Sequence, residues 1–397
     1  MQRFVYLDFF RFVFALFVAL LHFRGVFFLE RAYLAVDFFF VLSGFVLTHA
    51  YLPRADRPDF LKRFFIDRVA RLYPLYALTL AVLVVLNIVF YRSAGFGLEK
   101  GWSYQDGYFY TFIVGALLLQ NSGLTTGPSW NAPGWSISVE FLANIGLAFA
   151  LLGISRCRSR ATAALCAGVL SIGCYMLLFN SLHTLGDFTS NVYGLLNAGL
   201  VRGVAGIALG VVCYLVYSST KEGVRGASTL HSALAWGGGA LLATIIIFGD
   251  RIQNADFIAV PLTFAFVLGV AYVETFDYTP RGYGYRLAEE LGAISYAVYV
   301  IHWPIVVFLK WQLIYAMKLP INAGSAAAEV ITGESARAAH QFARRRTIGA
   351  IVIAMRSASI SYRSAVGWMQ STKRLRQSGS DLMNAYCFTS GTWFSAA

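Results

Sequence analysis

The sequence predicts an all-α fold: a polytopic transmembrane helical bundle of about nine to eleven spans joined by short loops. Three observations carry that prediction. Charged residues make up 13% of the 397 positions and hydrophobic ones 58%, where a soluble domain carries about 25% charged residues. Long apolar segments recur, at 7–29, 33–52, 72–91, 108–120, 135–154, 161–179, 192–217, 233–248, 258–273 and 291–315. Lysines and arginines gather between alternate segments, as expected when basic loops stay on the cytoplasmic side.

The first segment carries Asp8, Arg11 and His22 in an otherwise apolar run, with ten residues between the arginine and the histidine. A charge at bilayer depth costs roughly 2.5–3.5 kcal/mol on insertion scales, so such residues mark functional sites. Eleven positions are about three helical turns, which puts Arg11 and His22 on one face about 16 Å apart along the axis. Asp8 stands three before Arg11 and can pair with it. A neutral imidazole in such a place can act as general base on a hydroxyl.

The second segment opens at Asp37 and contains Ser43-Gly44. Asp37 and His22 both fall near the outer ends of their spans, so Asp37 is placed to orient the imidazole as in hydrolase triads. Ser43-Gly44 reads either as site chemistry or as a notch for close helix packing. The loop 53–71 holds Arg54, Arg57, Lys62, Arg63, Arg68 and Arg71, the strongest inside signal of the chain. It places the N-terminus in the cytoplasm. Arg68 and Arg71 stand at the cytoplasmic mouth of the third span, where they can clamp phosphates of a cytoplasmic cofactor. Pro74 is expected in the first turn of that span, where its missing N–H costs little.

Segment 108–120 is shorter than the roughly 20 residues a span needs, and reads as re-entrant or interfacial. The stretch Trp130 to Glu140 follows; its tryptophans, Trp135 among them, are expected to mark the interface. Glu140 enters apolar surroundings and calls for an arginine partner or an acid–base role. Arg202, between glycines in the seventh listed segment, should face the bundle interior. His302 lies in the last, where Pro304 should loosen the helix. Nine spans result up to 315. The net charge of +12 follows from the basic loops and needs no nucleic-acid partner. The five cysteines have no metal-like spacing, and no metal is expected. Two regions follow: 1–317, the membrane region, and 318–397, a polar, basic tail read as disordered or frameshifted. Charged residues at depth also suit a transporter or flippase of a glycan or lipid precursor, the alternative reading.

In combination the motifs resemble the acyltransferase-3 family of integral membrane acyltransferases. Arg11 with His22 resembles the family's opening Arg-x10-His, and Val36 to Phe45 its Val-Asp-x-Phe-Phe-x-x-Ser-Gly-Phe stretch. Arg68, Arg71 and Pro74 resemble its Arg-x-x-Arg-x-x-Pro, Trp135-Ser136 to Glu140 its Trp-Ser-x-x-x-Glu, and Ile294 to Pro304 its penultimate helix. Ala35 stands where the family has Gly, Phe9-Phe10 replace a Gly-Leu-like pair, and the family's final span and Glu-x-Pro have no counterpart after Pro320.

The resemblance implies an O-acyltransferase in the inner membrane. Its donor would be acetyl-CoA or another acyl-CoA on the cytoplasmic side, and its acceptor a hydroxyl of an exported or cell-surface carbohydrate such as polysaccharide, O-antigen or lipo-oligosaccharide. Arg68 and Arg71 would then hold the donor phosphates, with Arg11 deeper along the acyl path. His22 would deprotonate the hydroxyl or carry the acyl group transiently, and Asp37 and Glu140 would orient or charge-balance the site.

Overall fold

The computed structural model describes residues 3–23, 29, 31–94, 107–125, 127, 129–221, 228–249, 252–276 and 282–316. The tail 318–397, including the question of its frame, lies outside the described residues. Eleven helices follow one another: α1 (Val5–Phe23), α2 (Ala35–Tyr51), α3 (Phe60–Ala94), α4 (Tyr108–Ala116), α5 (Gly134–Arg156), α6 (Arg160–Leu182), α7 (Ala198–Thr220), α8 (Thr229–Ser232), α9 (Gly238–Phe248), α10 (Ala255–Phe276) and α11 (Tyr283–Ala316). A π turn, Ala233–Gly237, joins α8 to α9. With that joint counted as one span, nine helices among the described residues are long and apolar enough to cross a membrane. The fold is an all-α polytopic bundle, as composition and apolar periodicity require.

Helix α4 has nine residues, about 14 Å of rise, and is too short to cross. The one sheet among the described residues is a two-stranded hairpin, Asn191–Val192 against Leu196–Asn197, ahead of α7. Asn197 then caps α7 by accepting the Leu200 N–H at 3.1 Å, satisfying an otherwise orphaned donor.

Two sequence expectations change here. Pro74 lies inside α3, which starts at Phe60; much of the basic stretch 53–71 is therefore helix, not loop. Pro304, in the helix interior as expected, lies within α11. Trp135 is buried rather than interfacial, its ring stacked on Phe188 at 4.2 Å between centroids.

The interior is built on two helix pairs, α1 with α11 and α2 with α7. Glycine sets the second. A methyl built on Gly44 would run into the Ile207 carbonyl oxygen, and one on Gly210 into that of Val41. A methyl on Gly206 would meet Phe40 Cβ at 2.6 Å. The backbones touch because nothing larger than hydrogen stands between them, the small-residue packing that replaces hydrophobic drive inside a membrane. The α1–α11 pair is closed by Gly292, where a Cβ would meet Asp8 Cβ at 2.6 Å. Glu274, at the end of α10, is buried and accepts the backbone N–H groups of Val5 and Tyr6. That carboxylate caps the open donors of α1 and fixes where the helix begins.

Candidate active site

The α1–α11 seam carries the first site residues in two tiers. In the lower tier Arg11 is held on three sides: Nη2 meets Asp8 Oδ1 at 3.0 Å, Nε donates to Ser295 Oγ at 2.7 Å, and Nη2 donates to the Gly292 carbonyl at 3.2 Å. The i, i+3 pairing expected of Asp8 and Arg11 is present. The helix spacing that puts Arg11 and His22 on one face delivers both to α11.

In the upper tier His22 meets His302, with ring centroids 5.1 Å apart. His22 Nδ1 lies 2.8 Å from the Val18 carbonyl, and His302 Nδ1 lies 2.5 Å from that of Tyr299. A carbonyl only accepts, so each Nδ1 carries a proton, which leaves Nε2 as the basic nitrogen of the neutral ring. His302 is 4% exposed, and its Nε2 has no partner among the described residues. Trp303 packs edge-on to His22 at 5.5 Å, and its indole N–H donates to the Trp130 carbonyl at 2.9 Å. The pairing of the two histidines was not visible in sequence, because they stand 280 positions apart; each had been singled out only by its own depth.

Next to the histidines runs a hydroxyl pair that joins α5 to α11. Ser136 Oγ of α5 and the Tyr299 hydroxyl of α11 are 2.5 Å apart, and the latter also donates to the Pro133 carbonyl at 3.2 Å. Tyr299 stands one helical turn before His302, so the turn that anchors the imidazole also joins α11 to α5.

Asp37 does not orient His22. Its carboxylate is taken by Arg202 in a fork, Nε to Oδ1 at 3.0 Å and Nη2 to Oδ2 at 2.6 Å. The two side chains are 2% and 1% exposed. Arg202 spends its other donors on the Leu185 carbonyl at 2.6 Å and the Tyr33 carbonyl at 2.8 Å, and its Cζ lies 5.7 Å from the Trp135 ring centroid. Both carboxylate oxygens are committed to Arg202, and no hydrogen bond joins Asp37 to His22 among the described residues. Arg202 faces the interior, as its glycine-flanked position predicts. Beside it Asp256 accepts from Arg31, the Tyr33 and Thr184 hydroxyls and the Leu185 N–H. That buried acid pins the 183–190 loop, a role no motif marks.

Among the described residues Glu140 has no arginine at ion-pair distance; it accepts the Ser43 hydroxyl at 3.0 Å, with Arg68 within electrostatic range. Ser43 is thus a hydrogen-bonding residue, while Gly44 is the packing notch. The two motif arginines part company. Arg68 is buried, its Cζ 5.7 Å from the Tyr51 ring centroid, whereas Arg71 is exposed.

Comparison with known proteins identifies the family. A family model described as an acyltransferase domain matches residues 4–320. "Protein 2 in picA locus" of Rhizobium radiobacter is 34% identical over 163 residues, covering 36% of this chain and 80% of that protein. No solved structure matches significantly. With a family match over most of its length and nine helices fit to span a bilayer, the chain belongs to the acyltransferase-3 family of integral membrane acyltransferases.

Proposed function

We propose that the chain transfers an acyl group, expected to be acetyl, from cytoplasmic acyl-CoA to a hydroxyl of an exported or cell-surface carbohydrate. The observation that carries this reading is the pair of imidazoles with both Nδ1 atoms anchored on carbonyls. Anchoring sets the tautomer, so a basic Nε2 is present without any proton rearrangement. As the hydroxyl oxygen attacks the thioester carbonyl, His22 Nε2 takes its proton; the thiolate leaves and recovers that proton. Should His22 instead carry the acyl group between donor and acceptor, His302 supplies the second base such a double displacement needs. Arg11, held by Asp8, Ser295 and Gly292, offers a fixed cation on the same helix face for developing negative charge.

The same reading places the N-terminus in the cytoplasm and the protein in the inner membrane. Arg71 is exposed and suits the donor phosphates as a point of first capture, while Arg68 lies further in, towards Glu140. Several features support this: the family membership, the basic first turns of α3, and the nearness of Arg68 to Glu140.

The test is mass spectrometry of surface glycans from cells carrying the wild-type gene, a deletion, and His22→Ala or His302→Ala. General-base help is worth about 10²–10⁴-fold, so each variant should lose nearly all of an acyl modification that the deletion removes, with membrane levels unchanged. Undiminished acylation in both single variants would show that the imidazoles are not the site.

A further inference from the structure

The two motif arginines stand on a helix that proline weakens. Pro74 lies inside α3 and has no N–H. The Ala70 carbonyl therefore lacks its helical donor, and the proline ring crowds it. Arg71 belongs to that same turn. Helices bend where the i→i−4 ladder is interrupted. A bend here would swing the segment before it, with Arg68 and Arg71, against the rest of the bundle.

Two tyrosines tie the weakened turn to its neighbours. Tyr76 of α3 is fully buried and donates its hydroxyl to the Gly115 carbonyl of α4 at 3.1 Å. From α11, Tyr296 donates to the Leu72 carbonyl at 2.5 Å. Leu72 is buried and next in sequence to Arg71. Tyr296 in turn follows Ser295, whose hydroxyl accepts from Arg11 Nε at 2.7 Å and donates to the Gly292 carbonyl at 2.7 Å. Two adjacent residues of α11 thus hold two different helices: Ser295 holds the cation of α1, and Tyr296 holds the turn of α3 that carries Arg71. A phenylalanine would fill the place of the Tyr296 ring equally well, so the hydroxyl adds a link rather than bulk.

We propose that Tyr296 is a positioning residue for the acyl donor: through the Leu72 carbonyl it holds the Pro74 turn of α3 at a fixed offset from α11, and so fixes Arg71 relative to Arg11. This rests on the donor reading above, which gives Arg71 the donor phosphates and Arg11 the charge that develops at the thioester. The span between those two cations has to match the length of the donor, and α11 sets it with neighbouring side chains. Tyr296 acts through Arg71 and touches neither substrate.

The experiment is equilibrium binding of radiolabelled acetyl-CoA to the full-length protein in detergent, for wild type, Tyr296→Phe, Arg71→Gln and the double variant. Tyr296→Phe should raise Kd about fivefold, the scale of one net hydrogen bond, with Tm within about 3 °C of wild type. Residues that act through one another are not additive. In the Arg71→Gln background Tyr296→Phe should therefore change Kd by less than about 1.5-fold. The same rise in Kd in both backgrounds would mark a merely structural tie and overturn the proposal, as would loss of the monodisperse folded peak in Tyr296→Phe. An unchanged Kd in Tyr296→Phe, with binding weakened by Arg71→Gln, overturns the positioning role and leaves the donor reading standing. No binding to wild type, or no effect of Arg71→Gln, overturns the proposal together with the donor reading of Arg71.

Discussion

Asp37 is the residue on which sequence pattern and structure divide, and its replacement tells a structural acid from a catalytic one. In Asp37→Ala the Arg202 guanidinium loses two of its four bonds, at 3.0 and 2.6 Å, and keeps only the Leu185 and Tyr33 carbonyls. A cation 1% exposed cannot recover water. Removing one partner of such a pair costs about 3–5 kcal/mol. At about 2 °C per kcal/mol for a chain of this size, the apparent Tm should fall by about 6–10 °C. The assay is size-exclusion chromatography of detergent-solubilised protein after graded heating. Arg202→Met should fall comparably, because Asp37 is then the stranded charge. The double variant Asp37→Leu with Arg202→Met should lie nearer wild type than either single variant, since an apolar pair of similar volume replaces a desolvated ion pair at little cost. A Tm for Asp37→Ala within about 1 °C of wild type, together with abolished transfer, would refute this reasoning and return Asp37 to the reaction.

Other expectations follow from packing and charge. Gly210→Val should abolish the monodisperse folded peak in the same chromatography, because a side chain there overlaps the Val41 carbonyl and no rotamer relieves it. Arg71→Gln should weaken acetyl-CoA binding several-fold with an unchanged Tm, since Arg71 is exposed; Arg68→Gln should lower both, since Arg68 is buried. In the 183–190 loop, partial burial pushes the Asp187 carboxyl up, but bonds from the Ser190 hydroxyl and N–H and from Thr189 outweigh it and hold it below the ordinary carboxylate range. A depressed folded value contributes stability that is present above the ordinary value and lost only as pH falls through the lower one. Hydrogen exchange at 187–190 should therefore stay slow on acidification until below the range where free carboxylates titrate; early loss of protection would count against that network.

The fold was legible because membrane helices announce themselves twice, by apolar length and by basic loops. Even the short α4 followed from length alone. The depth of Arg11, His22, Glu140, Arg202 and His302 was legible for a related reason: a polar group in hydrocarbon stands out against its own neighbours. What those groups face was not. Asp37 shares an approximate depth with His22, and depth alone suggested a triad. Its true partner sits 165 positions away on α7, selected by the register of a glycine seam that no single motif states. Glu274 was missed because its acidic side chain serves another helix's terminus. Pro74 misled by position: beside an apolar run it reads as a start signal, whereas α3 has begun fourteen residues earlier.

The glycine seam bears on how such a protein can move. Where Gly44, Gly206 and Gly210 let two backbones touch, α2 and α7 have no side-chain layer in which to shear, and the Asp37–Arg202 fork pins their register near one end. The pair behaves as a single strut. Ser43, fixed on that strut, gives Glu140 a stationary reference. Any opening of the bundle has then to be borne by the helices around that pair.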